Sequence, residues 1–184
     1  MSEDLDAATK LEIYKLVISR YRALISEKEE RPLSEIRQRV SPYNDFIRRL
    51  RDQFTADMAP YVPRRDLPSA SDRAIEYVRQ IRTCEFAFTF WVDFPDMERL
   101  RIGTPMDKAM LLCALLRALE SEDARVVVSR RGRAYVRFLS SGSPALFVPE
   151  SGSLLAGGDA QKPFADDPPA YSFNDLVYEN YEES

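Results

Sequence analysis

Residues 103–138, GTPMDKAMLLCALLRALESEDARVVVSRRGRAYVRF, constrain the fold more than any other stretch of the chain. Thr104-Pro105-Met106-Asp107 is a helix start. Thr accepts from free backbone amides, Pro fits the first helical position, and the Asp107 carboxylate reaches back to the cap. Met106, Ala109, Met110, Leu112, Cys113, Leu115, Leu116 and Leu119 then leave the helix apolar around most of its circumference. Such a helix has no polar face to turn to water, so it must run through the centre of the molecule. Two strand-like runs follow at 124–128 and 134–139, joined by Arg130-Arg131-Gly132, a hairpin signal. A third strand is predicted at 145–148. The fold class is therefore α+β, with one central helix packed on an antiparallel sheet.

The N-terminal third reads as helical. Ile13, Leu16, Val17, Tyr21, Leu24 and Ile25 recur at three- and four-residue steps, and the charged run 27–31 with Pro32 ends that helix. Ile36 and Val40 begin another turn. Ser41-Pro42 is read as the start of a helix with Phe46, Ile47, Leu50 and Phe54 inward. Residues 55–70, rich in Pro and Arg, are read as a loop, and Ser71 as the cap of a helix burying Ile75, Val78 and Ile81. Cys84, Phe86, Phe88 and Phe90 alternate with smaller or polar neighbours, which favours an extended segment. The Gly/Ser/Pro-rich stretch 151–169 reads as loop, and 171–175 as a tail that docks back. Two sections result: 1–70, helical, and 71–184, the core with its loop-rich tail.

Composition bounds the function. A net charge of −4 offers no bulk attraction to nucleic acid or membrane. Two cysteines, Cys84 and Cys113, with no His anywhere, make neither a disulfide framework nor a zinc site. No metal or cofactor is expected. The start Met-Ser-Glu-Asp is acidic and no apolar run approaches a membrane span, so the expected compartment is the cytoplasm, with both thiols reduced.

The segment Gly103-Thr104-Pro105-Met106-Asp107-Lys108-Ala109 resembles the Gly-x-Cys-x-Asp-x-Ala helix start of the transglutaminase-like family, relatives of papain-type cysteine proteases. Arg133-Ala134-Tyr135-Val136 is similar to that family's His-Ala-Trp-Val at the opening of the second strand. The entry 74–81, the Trp91 to Pro95 segment, and the leucine-rich helix end with its following strand resemble the family in order, over about residues 72–150. The resemblance implies a nucleophilic Cys at a helix N-terminus, where the positive end of the helix dipole stabilises a thiolate. It also implies a His on the adjoining strand as base and an Asp after the hairpin to orient it. Here Pro105 stands at the Cys position and Arg133 at the His position, with Pro149 or Glu150 nearest the Asp position. Proline has neither a nucleophile nor an amide, and arginine stays protonated, so it is no base.

The resemblance thus implies a scaffold without its chemistry, a protein that binds a protein or peptide through a vestigial groove. Trp91, Thr104, Asp107, Arg133 and Tyr135 are the candidate binding residues. Cys113 and Cys84 read as buried small hydrophobes. Two alternatives stay open: carboxylate chemistry if Asp107 and Glu150 converge in one pocket, and nucleic-acid binding through Arg130, Arg131 and Arg133, with Arg125 and Arg137 extending the basic edge. Strand alternation puts Tyr135 and Phe138 on opposite faces. Oligomeric state and partner identity are not written in the sequence.

Overall fold

The computed structural model describes residues 8–16, 33–85 and 91–181. Val17, Tyr21, Leu24, Ile25, the charged run to Pro32, and Phe86, Phe88 and Phe90 lie outside these described residues. Residues 8–16 are helical (α1) and bury Ile13. Helix α2 (Leu33–Arg39) leads to the buried Val40. Helix α3 (Asp45–Thr55) buries Ile47, Leu50 and Phe54 on one face. Its cap is Asn44, whose side chain accepts from the Phe46 amide, and not Ser41, whose hydroxyl accepts from Tyr43 in the preceding turn. Either side chain can cap; the turn at 41–43 decides which one meets the helix end.

Helix α4 (Pro63–Arg79) begins eight residues before the expected Ser71, at Pro63 in the first helical position. The chain that reads as a Pro- and Arg-rich loop is therefore half helix, and the expected section border at 70/71 falls inside it. Ser71 is an interior, buried position, beside Ala70, Ala74, Ile75 and Val78. A short parallel ladder then forms between β1 (Arg82–Thr83) and β2 (Ile102–Gly103), with helix α5 (Phe94–Leu100) between them.

Helix α6 (Pro105–Ala118) is the axis of the molecule, with every residue from Asp107 to Leu116 buried. Helices α3 and α4 pack on one side of it and strands β3 and β4 on the other. The sheet has six antiparallel strands in the order β6-β5-β4-β3-β7-β8: β3 (Arg125–Ser129), β4 (Ala134–Ser140), β5 (Ser143–Val148), β6 (Ser153–Ala156), β7 (Pro169–Phe173) and β8 (Tyr178–Asn180). Val126, Val128, Val136, Phe138 and Phe147 face α6 in the main core. Val127, Tyr135 and Leu146 face the other way, so Tyr135 and Phe138 do divide between the two faces.

Residues 151–169 are not loop. They hold β6 and a 3-10 helix (Gly157–Phe164) whose Ala160 and Phe164 cover the outer face, Phe164 meeting Tyr135 edge-on at 5.2 Å between ring centres. The tail enters the sheet as β7 beside β3. Asp175 then receives a 2.6 Å bond from Arg117 of α6, with both side chains about nine-tenths buried. No helix among the described residues is long and apolar enough to cross a membrane.

Candidate functional site

The N-terminus of α6 is built as its residues require. The Thr104 hydroxyl accepts from the Asp107 amide at 3.1 Å, and Asp107 Oδ2 accepts from the Thr104 amide at 3.1 Å, closing a capping box with Pro105 at the first helical position. The other carboxylate oxygen of Asp107 accepts from the Val92 amide at 3.2 Å, which ties the segment after Trp91 to this helix end. Asp107 is fully buried. Burial pushes its carboxyl up to about 6, against the lowering effect of the Thr104 and Val92 bonds and of the Arg39 charge.

In front of this helix end lies a cavity of about 290 Å³. Thr104, Pro105 and Met106 form one wall, Gly132 to Tyr135 a second, and Glu85, Val148 and Glu150 the rest. The topology dictates the meeting. The β4–β5 register pairs Val136 with Phe147, which brings Arg133 and Glu150 to the same end of the sheet, opposite the start of α6. Gly132 adopts φ +78°, a conformation that glycine enters without strain, and so turns the chain sharply into Arg133. The turn is pinned from behind. Asp167 accepts from the Ser129 hydroxyl (2.7 Å) and the Arg131 amide (3.0 Å), and Ser129 Oγ accepts from the Arg133 amide (3.1 Å). Desolvation alone would raise the Asp167 carboxyl; those hydrogen bonds and the Arg131 and Arg133 charges outweigh it and hold it below the usual carboxylate range.

Of the sequence candidates, Thr104, Pro105, Arg133, Tyr135 and Glu150 line this one cavity. Pro149 is buried next to it and gives its carbonyl to Thr83. Two candidates lie off this cavity. Asp107 is sealed beneath the helix end and does not converge with Glu150, because the carboxylate is consumed as a cap. Trp91 does not line the cavity and lies half-buried against Arg39, whose guanidinium sits 5.4 Å from the ring centre and donates to the Val92 carbonyl. The basic edge is also shorter than expected: Arg125 pairs with Glu179 at 2.7 Å, leaving the hairpin arginines without it.

Neither thiol reaches the cavity. Cys84 is 5% exposed, and burial, with Asp107 nearby, pushes its thiol up to about 12. Cys113 is fully buried and burial pushes it to about 12 as well. Thiols held that high are inert near neutral pH.

This arrangement of helices on an antiparallel sheet is similar in fold to a solved structure. LapG of Legionella pneumophila, a transglutaminase-like cysteine protease, superposes with a TM-score of 0.53 at 14% identity, over 80% of this chain and 87% of LapG. The fold is transglutaminase-like. No protein-family model and no curated protein matches the sequence. At 14% identity the likeness to LapG carries the fold and nothing of its chemistry.

Beside this cavity on the transglutaminase-like core lies a residue that the sequence reading passed over. Lys108 is 3% exposed and donates to the Thr83 hydroxyl at 2.9 Å; Thr83 in turn donates to the carbonyls of Pro149 and Glu150. Burial pulls its ammonium down to about 8. The available signal was a lysine in a helix otherwise apolar almost all round.

Proposed function

We propose that this chain is a catalytically inactive transglutaminase-like protein that binds an extended protein or peptide segment in the cavity at Pro105. The observation that carries the reading is the convergence of Pro105, Arg133 and Glu150 on one cavity. By the resemblance these are the places of the nucleophile, the base and its orienting acid. A proline at the helix start removes the thiolate and an amide that would steady an oxyanion. Arginine holds its proton at neutral pH, and the chain contains no His to replace it. Both cysteines lie off the cavity with their thiols suppressed, which supports inactivity by the thiol route. Carboxylate chemistry loses its support with Asp107 sealed as a cap.

The cavity itself suits a single side chain of a bound segment. Its walls are apolar at Pro105, Met106, Tyr135 and Val148 and charged at Arg133, Glu85 and Glu150, the mixture that small pockets use to bind and orient. The test is fluorescence anisotropy against a panel of labelled unstructured peptides. Binding is expected in the micromolar range, and Pro105→Trp, which fills the cavity, and Arg133→Glu are each expected to weaken it tenfold or more. Binding indifferent to both changes sinks the reading. So does peptide hydrolysis or amine incorporation that disappears in Cys84→Ala or Cys113→Ala.

A further inference from the structure

Next to the first cavity, on the far side of Glu150, lies a second one of about 560 Å³. It is bounded by Arg79, Ile81, Arg82, Thr83, Lys108 and the turn from Glu150 to Ser153. Its construction is unlike that of the first. Lys108, a residue 3% exposed, brings a positive charge to its wall; among the described residues its ammonium makes one hydrogen bond, to Thr83, which leaves two of its N–H donors unpaired there. Among the described residues no carboxylate lies within ion-pair distance of it; the neighbouring Asp107 is turned to Thr104 and Val92. A buried cation without a counter-charge is costly unless something pairs it. Two further cations line the same space. Arg82 is exposed and makes no ion pair among the described residues. Arg79 is held over the turn by a 2.8 Å bond from Nε to the Gly152 carbonyl, with its terminal nitrogen 3.6 Å from Glu76. Glu150 is the one acidic residue among the described residues on this wall.

We propose that this second cavity binds a small oxyanion, a phosphate or carboxylate group, held by Lys108 with Arg82 and Arg79. The ammonium offers its unused N–H groups, and the arginines offer paired donors that match the oxygens of such a group. Ser151 and Ser153 also line this space, 2.9 Å apart, with the Ser151 hydroxyl donating to Ser153 Oγ. The site does not rest on peptide binding in the first cavity. The two share only the Glu150 wall.

The experiment is a titration of the whole protein with sodium phosphate, and separately with sodium succinate, at pH 7.0 and constant ionic strength set by sodium chloride. Thermal stability and the ¹³Cε signal of Lys108, assigned by its absence from Lys108→Met, are the readouts. A saturable rise in melting temperature together with a shift of the Lys108 signal is expected. Binding is expected to be at least tenfold weaker in Lys108→Met and in Arg82→Gln, and several-fold tighter in Glu150→Gln, which removes the opposing charge. A response to phosphate alone identifies a phosphoryl ligand, and a response to succinate alone a carboxylate ligand. The proposal is overturned if neither anion binds, or if Lys108→Met responds as strongly as the wild type. Peptide binding in the first cavity is read separately in Pro105→Trp, so either site can fail without the other.

Discussion

Lys108→Met tests the energetics of the buried cation directly, in the absence of any ligand. The depression of its ammonium from 10.5 to about 8 corresponds to about 3 kcal/mol at roughly 1.4 kcal/mol per tenfold. Contact with a polar cavity screens part of this, and the 2.9 Å bond to Thr83 is lost with the charge. A net gain of about 1–2 kcal/mol at pH 7 is therefore expected, since a methionine fills the same unbranched path through the core. The sign of the pH dependence follows from a lowered folded-state pKa. Below about 8 the folded protein carries the buried charge at full cost. Between about 8 and 10.5 the folded state has released a proton that the unfolded chain still binds, so wild-type stability rises with pH relative to the variant. Both proteins share the cysteines, whose own titration in that range cancels in the difference. The assay is urea unfolding followed by Trp91 fluorescence in an anion-poor buffer, at steps from pH 7 to pH 10.5. The variant's advantage is expected to shrink toward zero over that range. A variant less stable than wild type at pH 7, or an advantage that does not change with pH, refutes the account of Lys108 as an uncompensated charge.

Asp107→Asn removes an acceptor from the capping box and sets an amide against the Val92 and Thr104 N–H groups, so a loss of about 1–3 kcal/mol at pH 7 is expected by urea unfolding. Because the folded Asp107 pKa is raised to about 6 from 3.8, the folded state holds its proton more tightly; the wild type's advantage over this variant is expected to be largest near pH 4 and to fall as pH rises through 6. Asp175→Ala strands the buried Arg117 guanidinium, leaving it, among the described residues, the Ser121 and Glu122 carbonyls, and is expected to cost about 3 kcal/mol by the same measurement. Pro105→Cys places a thiol at the start of α6, where the helix dipole favours thiolate; its alkylation by iodoacetamide is expected to reach half its maximal rate below pH 8, with Cys84 and Cys113 unreacted in the folded protein.

What the sequence shows best is what is decided within one helical turn or one hairpin. The α6 cap needs only Thr104, Pro105 and Asp107, and the β3–β4 turn needs only Gly132 and the alternating strands around it. The α3 and α4 starts were misplaced because Ser41 and Ser71 are equally good caps by side chain; a turn at 41–43 and the proline at 63 settle the matter in three dimensions. The stretch 151–169 hid its structure behind its composition. Its Gly, Ser and Pro residues set the turns, while Leu154, Leu155, Ala160 and Phe164 pack against the sheet. Leu154 joins the main core, while Leu155, Ala160 and Phe164 cover the outer face made by Val127, Tyr135 and Leu146, which nothing within 151–169 reveals. Asp107 reads both as a cap and as a candidate for ligand contact; the structure shows the cap, the carboxylate accepting from the Thr104 amide and hydroxyl and from the Val92 amide. Trp91 was placed by analogy with a groove, but Arg39, more than fifty residues earlier, claims its ring.

Proline at position 105 leaves the scaffold intact for a physical reason. The first helical position has no backbone partner for its N–H, so proline loses no bond there, and its fixed φ suits the entry to the helix. The cap, the β4–β5 register and the Thr83 link to the end of β5 all hold the cavity open without any help from that side chain. On the function proposed above, a proline in the place of a nucleophile would thus spare the shape around it. The two residues that follow in the same turn divide the remaining work. Asp107 turns its charge inward to close the helix end and is satisfied. Lys108, rotated about 100° further round the helix, carries its charge to a different wall, where one hydroxyl is its only partner among the described residues. A fold that needed only a filled core at that position would be more stable with methionine. The uncompensated ammonium is therefore the strongest physical reason to look for a ligand on this side of Glu150.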